Sequence, residues 1–524
     1  MRIKKWEIMP LLLRKTRIYY QISLPVISGI LLILSFPKFG RGWVAWIALV
    51  PILYALKNTQ HLSKAFSIGF ITGFTCHIGI LYWITYVVVR YGNLPYYLGI
   101  STMLLLAIYL SLYTAIFASG AYYFRGKGIP TIFSVPVLWT VLEYIKSHLF
   151  TGFPWENLAY SQYSYLPLIQ ITDIISIYGV SFIIVMINVI ICNVVTMTKF
   201  TKKQVMGEVI VGCFIILIVF TYGILRIHYM EDLLTSAKHI HISVIQGNIE
   251  QDIKWNRQFQ QETISIYKKL SLAKPVSKSQ LIVWPETATP FYFQEKDFMH
   301  ECVLDIAKKS GSWLLLGSPS YLKDQGGLSF MNSAFLLAPD GNIRGKYDKV
   351  HLVPYGEYVP LRQFFPFMNK LVVGVGDFTA GEGFYPLSME KHKLGVLICY
   401  EGIFPEIARS YKNAGADLLI NITNDAWYGR TSAPYQHLSM TIFRAIENRS
   451  YLIRAANTGI SAIIDPMGNI LNSTKLFEEA SLNETVKFIN EKSFYILYGD
   501  VFVYVCIIAV LSFIIIPKRR NENA

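Results

Sequence analysis

The stretch "LGVLICYEGIFPE", residues 394–406, joins a short apolar run to one cysteine, followed at once by a Tyr, a Glu and a Gly. Apolar runs of four to eight residues that end in a turn are typical of buried strands in layered sheets. Cys399 stands where this strand ends, and ligands gather at the carboxyl ends of strands in such sheets. Two interpretations of Cys399 stay open on this stretch alone: a small buried hydrophobe or a nucleophile.

Runs of the same kind recur between residues 238 and 490. They are "IHISVIQGNI", "QLIVWPETA", "SWLLLGSPS", "SAFLLAPDGN", "ADLLINITNDAW" and "GISAIIDPMGNI". Helical patterns lie between several of them, at 257–273 and 299–310. Alternating strands and helices over this length predict one α/β layered domain.

The rest of the chain has the composition of a membrane protein, since 53% of all residues are hydrophobic and only 16% are charged. A span needs about 20 apolar residues. Eight segments fit, near 19–36, 42–56, 66–89, 96–122, 129–146, 168–196, 207–226 and 498–517. The prediction is a multi-pass α-helical membrane protein with eight spans. Residues 1–230 form a membrane domain with seven of them, 238–490 the α/β domain, and 491–524 the last span and a basic tail.

The net charge of +14 belongs to the membrane segments rather than to the α/β domain. Residues 238–490 hold 26 of the 48 Lys and Arg residues and 24 of the 34 Asp and Glu residues, which leaves 22 basic against 10 acidic residues elsewhere. A nucleic-acid partner is therefore not expected. Alternate connections carry 16 basic residues on one side and 4 on the other. The positive-inside rule then predicts cytoplasmic termini and an α/β domain outside the cytoplasm.

Two acids, Glu143 and Asp173, lie at or near membrane depth, where a functional role and an interfacial role are both open. The loop "TGFPWENLAY", 151–160, is predicted to lie at the outer interface with Trp155 at headgroup depth. A transporter would need paired charges within discontinuous spans. Apart from these two acids, the predicted spans contain few charged residues, which gives the transporter alternative little support.

Three strand ends carry reactive side chains that could converge. Glu286 follows "LIVWP", Lys349 and Glu357 lie in "KYDKVHLVPYGE", and Cys399 follows "LGVLI". Together they make coherent chemistry, with a thiol nucleophile, a carboxylate base and a lysine for the oxyanion.

Taken singly, each of these residues has an ordinary structural interpretation, as core, cap or solvated charge. His351 and His437 offer a rival Cys–His pair that no sequence feature orients, and Cys302 is interpreted as core. The cysteines show no metal-ligand spacing, so neither a metal nor a cofactor is expected.

As a set, the motifs "WPET", "KVHLVPYGEYVP" and "ICYEGIFPE" resemble the Glu–Lys–Cys triad of the nitrilase superfamily in order and spacing. "QGNIEQDIKW", "TNDAWYG" and "RAIENRSYLIRAANTGIS" match further segments of its membrane-embedded branch, the apolipoprotein N-acyltransferase family. The resemblance covers nearly the whole chain. It implies an αββα sandwich that faces the periplasm from the bacterial inner membrane.

The resemblance also implies a reaction. Cys399 attacks an acyl ester of a phospholipid, typically phosphatidylethanolamine, and the thioester is aminolysed by the free α-amine of a diacylglyceryl-cysteine at an apolipoprotein N-terminus. Glu286 is the implied base, and Lys349 with the backbone N–H after Cys399 the oxyanion site. The implied supporting residues are Glu357, which orients Lys349 or the base, and Trp255, Tyr400 and Glu401, which shape the pocket. The alternative is a membrane-anchored amidase or nitrilase acting on a small C–N substrate.

The insert at 361–378 is unusually aromatic, with Phe364, Phe365, Phe367 and Met368 within five residues. A soluble domain rarely exposes such a patch. The insert is predicted to be a lid that rests on the outer leaflet, and packing on the core is the alternative.

Overall fold

The computed structural model describes residues 21–251, 254–274, 276–324, 327–359 and 377–517. Apolar helices dominate the first part of the chain and its end. Their bounds are Gln21–Ser35, Gly42–Lys57, Leu62–Leu81, Trp83–Gly92, Tyr96–Gly126, Thr131–His148, Thr172–Val195, Lys202–Thr235 and Val501–Ile515. They pack side by side into one bundle.

Among the described residues, four helices rather than the predicted eight are long and apolar enough to cross a membrane. They are Leu62–Leu81, Tyr96–Gly126, Thr172–Val195 and Lys202–Thr235. The prediction of eight spans was wrong because hydropathy does not show where a helix ends. The helix Val501–Ile515 has 15 residues, which gives about 22 Å against an apolar bilayer thickness of about 30 Å. Thr131–His148 is long enough, but it contains Pro136 and three polar ionisable residues near its end.

The two ends of the bundle carry different residues. At one end, Lys57 Nζ donates to Asn193 Oδ1 at 2.7 Å and Arg125 Nη1 donates to Leu56 O at 2.6 Å. Lys127 Nζ lies at the same end, where it donates to the last carbonyls of the C-terminal helix. The opposite end packs against the α/β domain. Basic side chains therefore collect at the end of the bundle that is remote from this domain.

The α/β domain contains two six-stranded mixed sheets. The strands are β1 His239–Gln246, β2 Leu281–Val283, β3 Trp313–Asp324, β4 Gly327–Leu337, β5 Ile343–Asp348, β6 Leu387–Met389, β7 His392–Ile398, β8 Leu418–Thr423, β9 Leu452–Ala456, β10 Ala462–Ile464, β11 Ile470–Ser473 and β12 Ala480–Lys487. The first sheet has the order β12-β1-β2-β3-β4-β5 and the second the order β11-β10-β9-β8-β7-β6. β1, β2 and β3 run parallel, as do β7, β8 and β9, so their carboxyl ends meet at one edge of each sheet.

Helices cover the outer faces of the two sheets. Arg257–Ser271 and Phe298–Ser310 pack on the first sheet, where Tyr267, Val303 and Ile306 meet buried strand residues. Pro405–Asn413 and Ala433–Glu447 cover the second sheet. The predicted helices 257–273 and 299–310 are confirmed, as are the apolar strands. The result is the predicted αββα layering, which leaves the strand ends free to carry a site.

The α/β domain and the bundle share a buried polar contact. The Arg449 side chain is fully buried; its Nη2 lies 2.7 Å from Asp173 Oδ2 and its Nη1 donates to Gln170 Oε1 at 2.6 Å. Arg226 Nε contacts the same Asp173 carboxylate at 3.1 Å. Asp173 is therefore an interfacial ion-pair residue that ties the helix Thr172–Val195 to the domain.

Candidate active site

Cys399 sits at a sharp turn directly after β7. It opens a short 3-10 helix, Cys399–Ile403, and has a positive φ of 53°. This conformation is costly for a residue with a Cβ, and such strain is concentrated at functional sites. The thiol is 7% exposed. The turn thus holds one buried sulfur in a fixed position at a strand end.

Glu286 follows β2 and is bound through both carboxylate oxygens. Asn332 Nδ2 donates to Oε1 at 2.7 Å and the Asn424 backbone N–H donates to Oε2 at 2.8 Å. The neighbouring strand passes so close that a Cβ on Gly317 would lie 2.6 Å from the Glu286 Cα, so only glycine fits there. Burial raises the pKa of Glu286 above its ordinary value, and the nearby Lys349 charge opposes this.

Lys349 follows β5 and forms a buried ion pair with Glu357. Its Nζ lies 2.8 Å from Glu357 Oε2 and 3.0 Å from Oε1, and Asn332 Nδ2 also donates to Oε1 at 3.0 Å. Asn332 therefore links the Glu286 and Glu357 carboxylates. Burial alone would lower the pKa of Lys349, but the charges of Glu357, Cys399 and Glu286 outweigh it and raise the pKa. The ammonium stays charged at neutral pH.

The electrostatics of Cys399 follow from these neighbours. Burial raises the pKa of the thiol, the Glu286 charge raises it further, and Lys349 lowers it. Burial and the Glu286 charge therefore favour the protonated thiol in the resting site. Such a thiol needs a base to accept its proton before it can attack a carbonyl.

The rival histidines are oriented elsewhere. His437 Nε2 lies 3.3 Å from the Cys399 carbonyl oxygen and its Nδ1 lies 3.1 Å from Asp425 Oδ1. The His351 ring packs on Phe404, with centroids 4.1 Å apart. Burial lowers the pKa of His351 to about 4. Neither ring pairs with the thiol in this arrangement.

The residues around the nucleophile fall into different roles. Glu401 is fully buried and accepts hydrogen bonds from the backbone N–H groups of Ile398, Val350 and His351 at 2.7, 2.8 and 3.0 Å. It thereby ties the Lys349 loop to the Cys399 turn.

Tyr400 and Trp255 differ in exposure, since Tyr400 is buried and Trp255 is exposed. Tyr400 OH donates to Gly152 O at 3.2 Å, a loop residue of the bundle. Trp255 is 40% exposed, as a rim residue would be. The predicted lid residues Phe364, Phe365, Phe367 and Met368 lie outside the described residues. Cys302 is half-buried and packs against the hydrophobic residues between the first sheet and the helices that cover it.

Sequence reasoning missed three polar neighbours of the site. Lys254 is 1% exposed, its Nζ has no hydrogen-bond partner among the described residues, and its charge acts on Glu286. Asn332 and Asn424 bind the Glu286 carboxylate, as described above. An Asn inside the apolar strand "MNSAFLL" is a signal that could have identified Asn332. Lys254 carries no such signal. The described residues include no group of three or more His, Cys, Asp or Glu suited to a metal ion.

Comparisons with known proteins match both halves of the chain. Residues 28–190 match a family profile described as the apolipoprotein N-acyltransferase N-terminal domain, and residues 241–487 match one described as carbon-nitrogen hydrolase. Among solved structures, a carbon-nitrogen hydrolase from Helicobacter pylori G27 is similar, with a TM-score of 0.38 and 19% identity over 50% of this chain and 94% of that chain.

Full-length relatives are also found. An apolipoprotein N-acyltransferase of Geobacter metallireducens is 46% identical over 95% of each chain. That of Haemophilus influenzae is 32% identical over 93% of this chain and 92% of its own.

The two-sheet fold and its strand-end Glu, Lys and Cys define a carbon–nitrogen hydrolase-type domain, here joined to a bundle of membrane-type helices. The relatives narrow that class, since they match the bundle and the domain together. The chain belongs to the apolipoprotein N-acyltransferase family, and the protein is an acyltransferase. These relatives do not favour a membrane-anchored amidase.

Proposed function

We propose that the protein transfers a fatty acyl chain from a membrane phospholipid to the free α-amine of an S-diacylglyceryl-cysteine at an apolipoprotein N-terminus. The observation that carries this proposal is the position of Cys399. Its strained turn lies in a buried charged site, and the next residue, Tyr400, bonds to the Gly152 loop of the bundle. A nucleophile beside membrane-type helices can meet lipid esters that a soluble hydrolase would not meet.

In the first step, the Glu286 carboxylate takes the Cys399 proton and the thiolate attacks the ester carbonyl. Lys349 and the backbone N–H of Tyr400 stabilise the oxyanion. The C–O bond breaks, and the lysophospholipid leaves with the proton from Glu286. Asn332 supports this step because it holds the Glu286 carboxylate, and the Glu357 carboxylate that orients Lys349, in one network.

In the second step, the acceptor amine attacks the thioester and the C–S bond breaks. Glu286 removes the amine proton and returns a proton to the sulfur, which restores the thiol. Donor and acceptor are both lipid-anchored and bulky, so a covalent intermediate lets one site serve each in turn. Burial of Cys399 also limits hydrolysis of the thioester by water.

The proposed donor is phosphatidylethanolamine, and the proposed location is the bacterial inner membrane with the catalytic domain, residues 238–490, in the periplasm. Residues 1–230 and 491–524 are the membrane and tail portions, with both termini in the cytoplasm. The gathering of Lys57, Arg125 and Lys127 at the end of the bundle remote from the domain supports this orientation.

The test is a covalent adduct. Purified full-length protein incubated with phospholipid and no acceptor should gain one acyl chain, detected by intact-protein mass spectrometry and released by neutral hydroxylamine. Cys399→Ala should abolish the adduct, whereas the matched variant Cys302→Ala should keep it. Glu286→Gln should slow its formation about 10²–10⁴-fold. A wild-type protein that never carries an acyl group, or a Cys399→Ala variant that carries it equally well, would overturn the proposal.

A further inference from the structure

A cavity of about 70 Å³ lies inside the helix bundle, at the end that faces the catalytic domain. Room for one water takes about 10–15 Å³ on this measure, so the cavity accommodates several waters or one small polar group. Aromatic side chains form much of its wall. They are Phe36, Tyr113, Phe117, Trp139, Phe153 and Trp155.

The cavity wall also contains ionisable groups that are not balanced in charge. Glu143, Lys146 and Glu156 line it, and each is buried. Cys76, His77 and Tyr113 are the other titratable groups that line it. Burial raises the pKa of Glu156 well above its ordinary value, so this carboxyl holds a proton when the cavity contains no cation. When both acids are ionised, two carboxylates face one ammonium, which leaves one negative charge for a bound cation to balance. A buried charge of this kind is costly unless a cation or a proton neutralises it.

Glu156 is the acid that lacks a partner. Neither of its carboxylate oxygens has a hydrogen-bond partner among the described residues, although the side chain is only 6% exposed. The neighbouring hydroxyl of Ser439 donates instead to Gln436 O at 2.7 Å. Glu143 differs, since its Oε1 accepts from the Leu158 N–H at 2.7 Å and only Oε2 is unpartnered there. Glu143 thus holds the loop at Leu158. The Glu156 carboxylate is available to bind a ligand in the cavity.

The chemistry of this wall selects an ammonium group. Aromatic faces attract cations, and a carboxylate adds a charge-assisted hydrogen bond to each N–H it receives. A fatty acyl chain would bury the same carboxylates against hydrocarbon with no compensation. A free anion would add to the unbalanced negative charge.

The place of the cavity indicates which ammonium it receives. Trp155 separates it from the nucleophile, since the Trp155 ring lies 5.9 Å from the His437 ring and His437 Nε2 lies 3.3 Å from the Cys399 carbonyl oxygen. The acceptor amine must reach the thioester carbon itself. The amine of a phospholipid headgroup is separated from the ester by phosphate and glycerol, so it needs a site near the nucleophile but apart from it.

We propose that this cavity binds the primary ammonium of the donor phospholipid headgroup, with Glu156 as its counter-charge and Glu143, Lys146 and the aromatic wall around it. The proposal rests on the proposed function, in which Cys399 takes an acyl chain from a phospholipid. Glu156 then determines specificity for amine-bearing donors and takes no part in the bond changes.

The experiment compares two donors that differ only in headgroup. Full-length protein is mixed with vesicles of dioleoyl phosphatidylethanolamine or dioleoyl phosphatidylglycerol, without acceptor, and the rate of acyl-enzyme formation on Cys399 is measured. The wild-type protein should prefer the ethanolamine lipid. Glu156→Gln should slow the reaction with this lipid about ten- to hundredfold, as expected for loss of a charge-assisted hydrogen bond, and leave the glycerol lipid unchanged. The matched control Glu262→Gln, on an exposed helix face, should change neither rate.

The glycerol lipid is also the folding control, because a misfolded variant would lose activity with both donors. A wild-type protein that does not distinguish the two lipids would overturn the headgroup site while leaving the acyl-enzyme intact. Equal loss with both lipids in a variant with unchanged thermal unfolding would overturn it as well. In a second arm, preformed acyl-enzyme is mixed with a diacylated lipopeptide. A defect of Glu156→Gln confined to this arm would assign the cavity to the acceptor amine and overturn the proposal.

Discussion

The balance of charge on Glu286 is the residue-scale feature on which the proposed chemistry depends. Burial raises its pKa, whereas Lys349 and Lys254 act in the opposite direction. Burial lowers the pKa of Lys254 to about 8, with the Glu286 charge opposing. Lys254 is therefore charged below this pH and helps to keep the Glu286 carboxylate ionised. We expect Lys254 to tune the pKa of the base.

Replacing Lys254 should alter the pH profile of acyl-enzyme formation. Lys254→Met removes a charge that lowers the Glu286 pKa, so the acidic limb of the rate profile should move to higher pH. The rate at pH 6 should fall about tenfold, with a smaller loss at pH 8. Lys254→Arg keeps the charge and should retain the wild-type limb, and Lys269→Met, at an exposed lysine, serves as the matched control. A uniform loss across pH would instead indicate a packing role.

At this scale, the sequence predicted the reactive side chains but not the polar residues that bind them. Glu286, Lys349, Glu357 and Cys399 could be predicted because motif order and strand ends distinguish them. Lys254 could not, since a lysine in a polar loop is ordinarily solvated and only the fold shows that this one is buried. Hydrogen-bond partners such as Asn424 depend on strand register, which is set by pairings between distant segments.

At the scale of elements, Glu401 joins the 3-10 turn after β7 to the loop after β5. Its Oε1 accepts from Tyr347 OH, Val350 N and His351 N at 2.8, 2.8 and 3.0 Å, and its Oε2 accepts from Ile398 N at 2.7 Å. One carboxylate thus bonds to groups on both sheets and holds the turn of the nucleophile against the loop of the lysine. The pocket role that the resemblance implies for Glu401 stays a prediction, and these hydrogen bonds add a bracing role to it.

Glu401→Gln should therefore impair both stability and rate. The amide presents an NH₂ group where one carboxylate oxygen accepted, so at least one buried backbone N–H loses its partner, which costs about 1–3 kcal/mol. Thermal unfolding should shift to lower temperature, and acyl-enzyme formation should slow at least about tenfold because the turn is no longer held. Glu262→Gln should leave both unchanged. An unaltered rate in a destabilised variant would show that the brace serves stability alone.

Helices and strands of the α/β domain were more predictable than those of the bundle. Strand alternation and turn residues identify elements such as β7 because one face or both are buried against a second layer. In the bundle, hydropathy marks neither the break between Leu81 and Trp83 nor the short length of the helix Val501–Ile515. These features depend on how the helices pack and where they meet the domain.

At the scale of the whole molecule, the two ends of the bundle predict a topology that fusions can test. A reporter active only outside the cytoplasm should work when joined after residue 240 and fail after residue 202. The reason is that Lys199, Lys202 and Lys203 belong to the basic side, whereas residue 240 begins the catalytic domain. The reverse pattern would place the domain in the cytoplasm and remove the periplasmic assignment.

The buried contact between Arg449 and Asp173 makes the catalytic domain unsuited to recombination as a module. Excised from the bundle, the domain would retain a guanidinium whose partners, Asp173 and Gln170, stay behind. A foreign bundle that covers the same face without an acid at the position of Asp173 would leave the guanidinium buried and unpaired, which costs about 3–5 kcal/mol, a large part of the stability of an ordinary domain. A fusion of residues 238–490 to such a bundle would carry this deficit. Exchange between related chains is compatible with the fold only where the crossover carries the Gln170–Asp173 segment and Arg449 together.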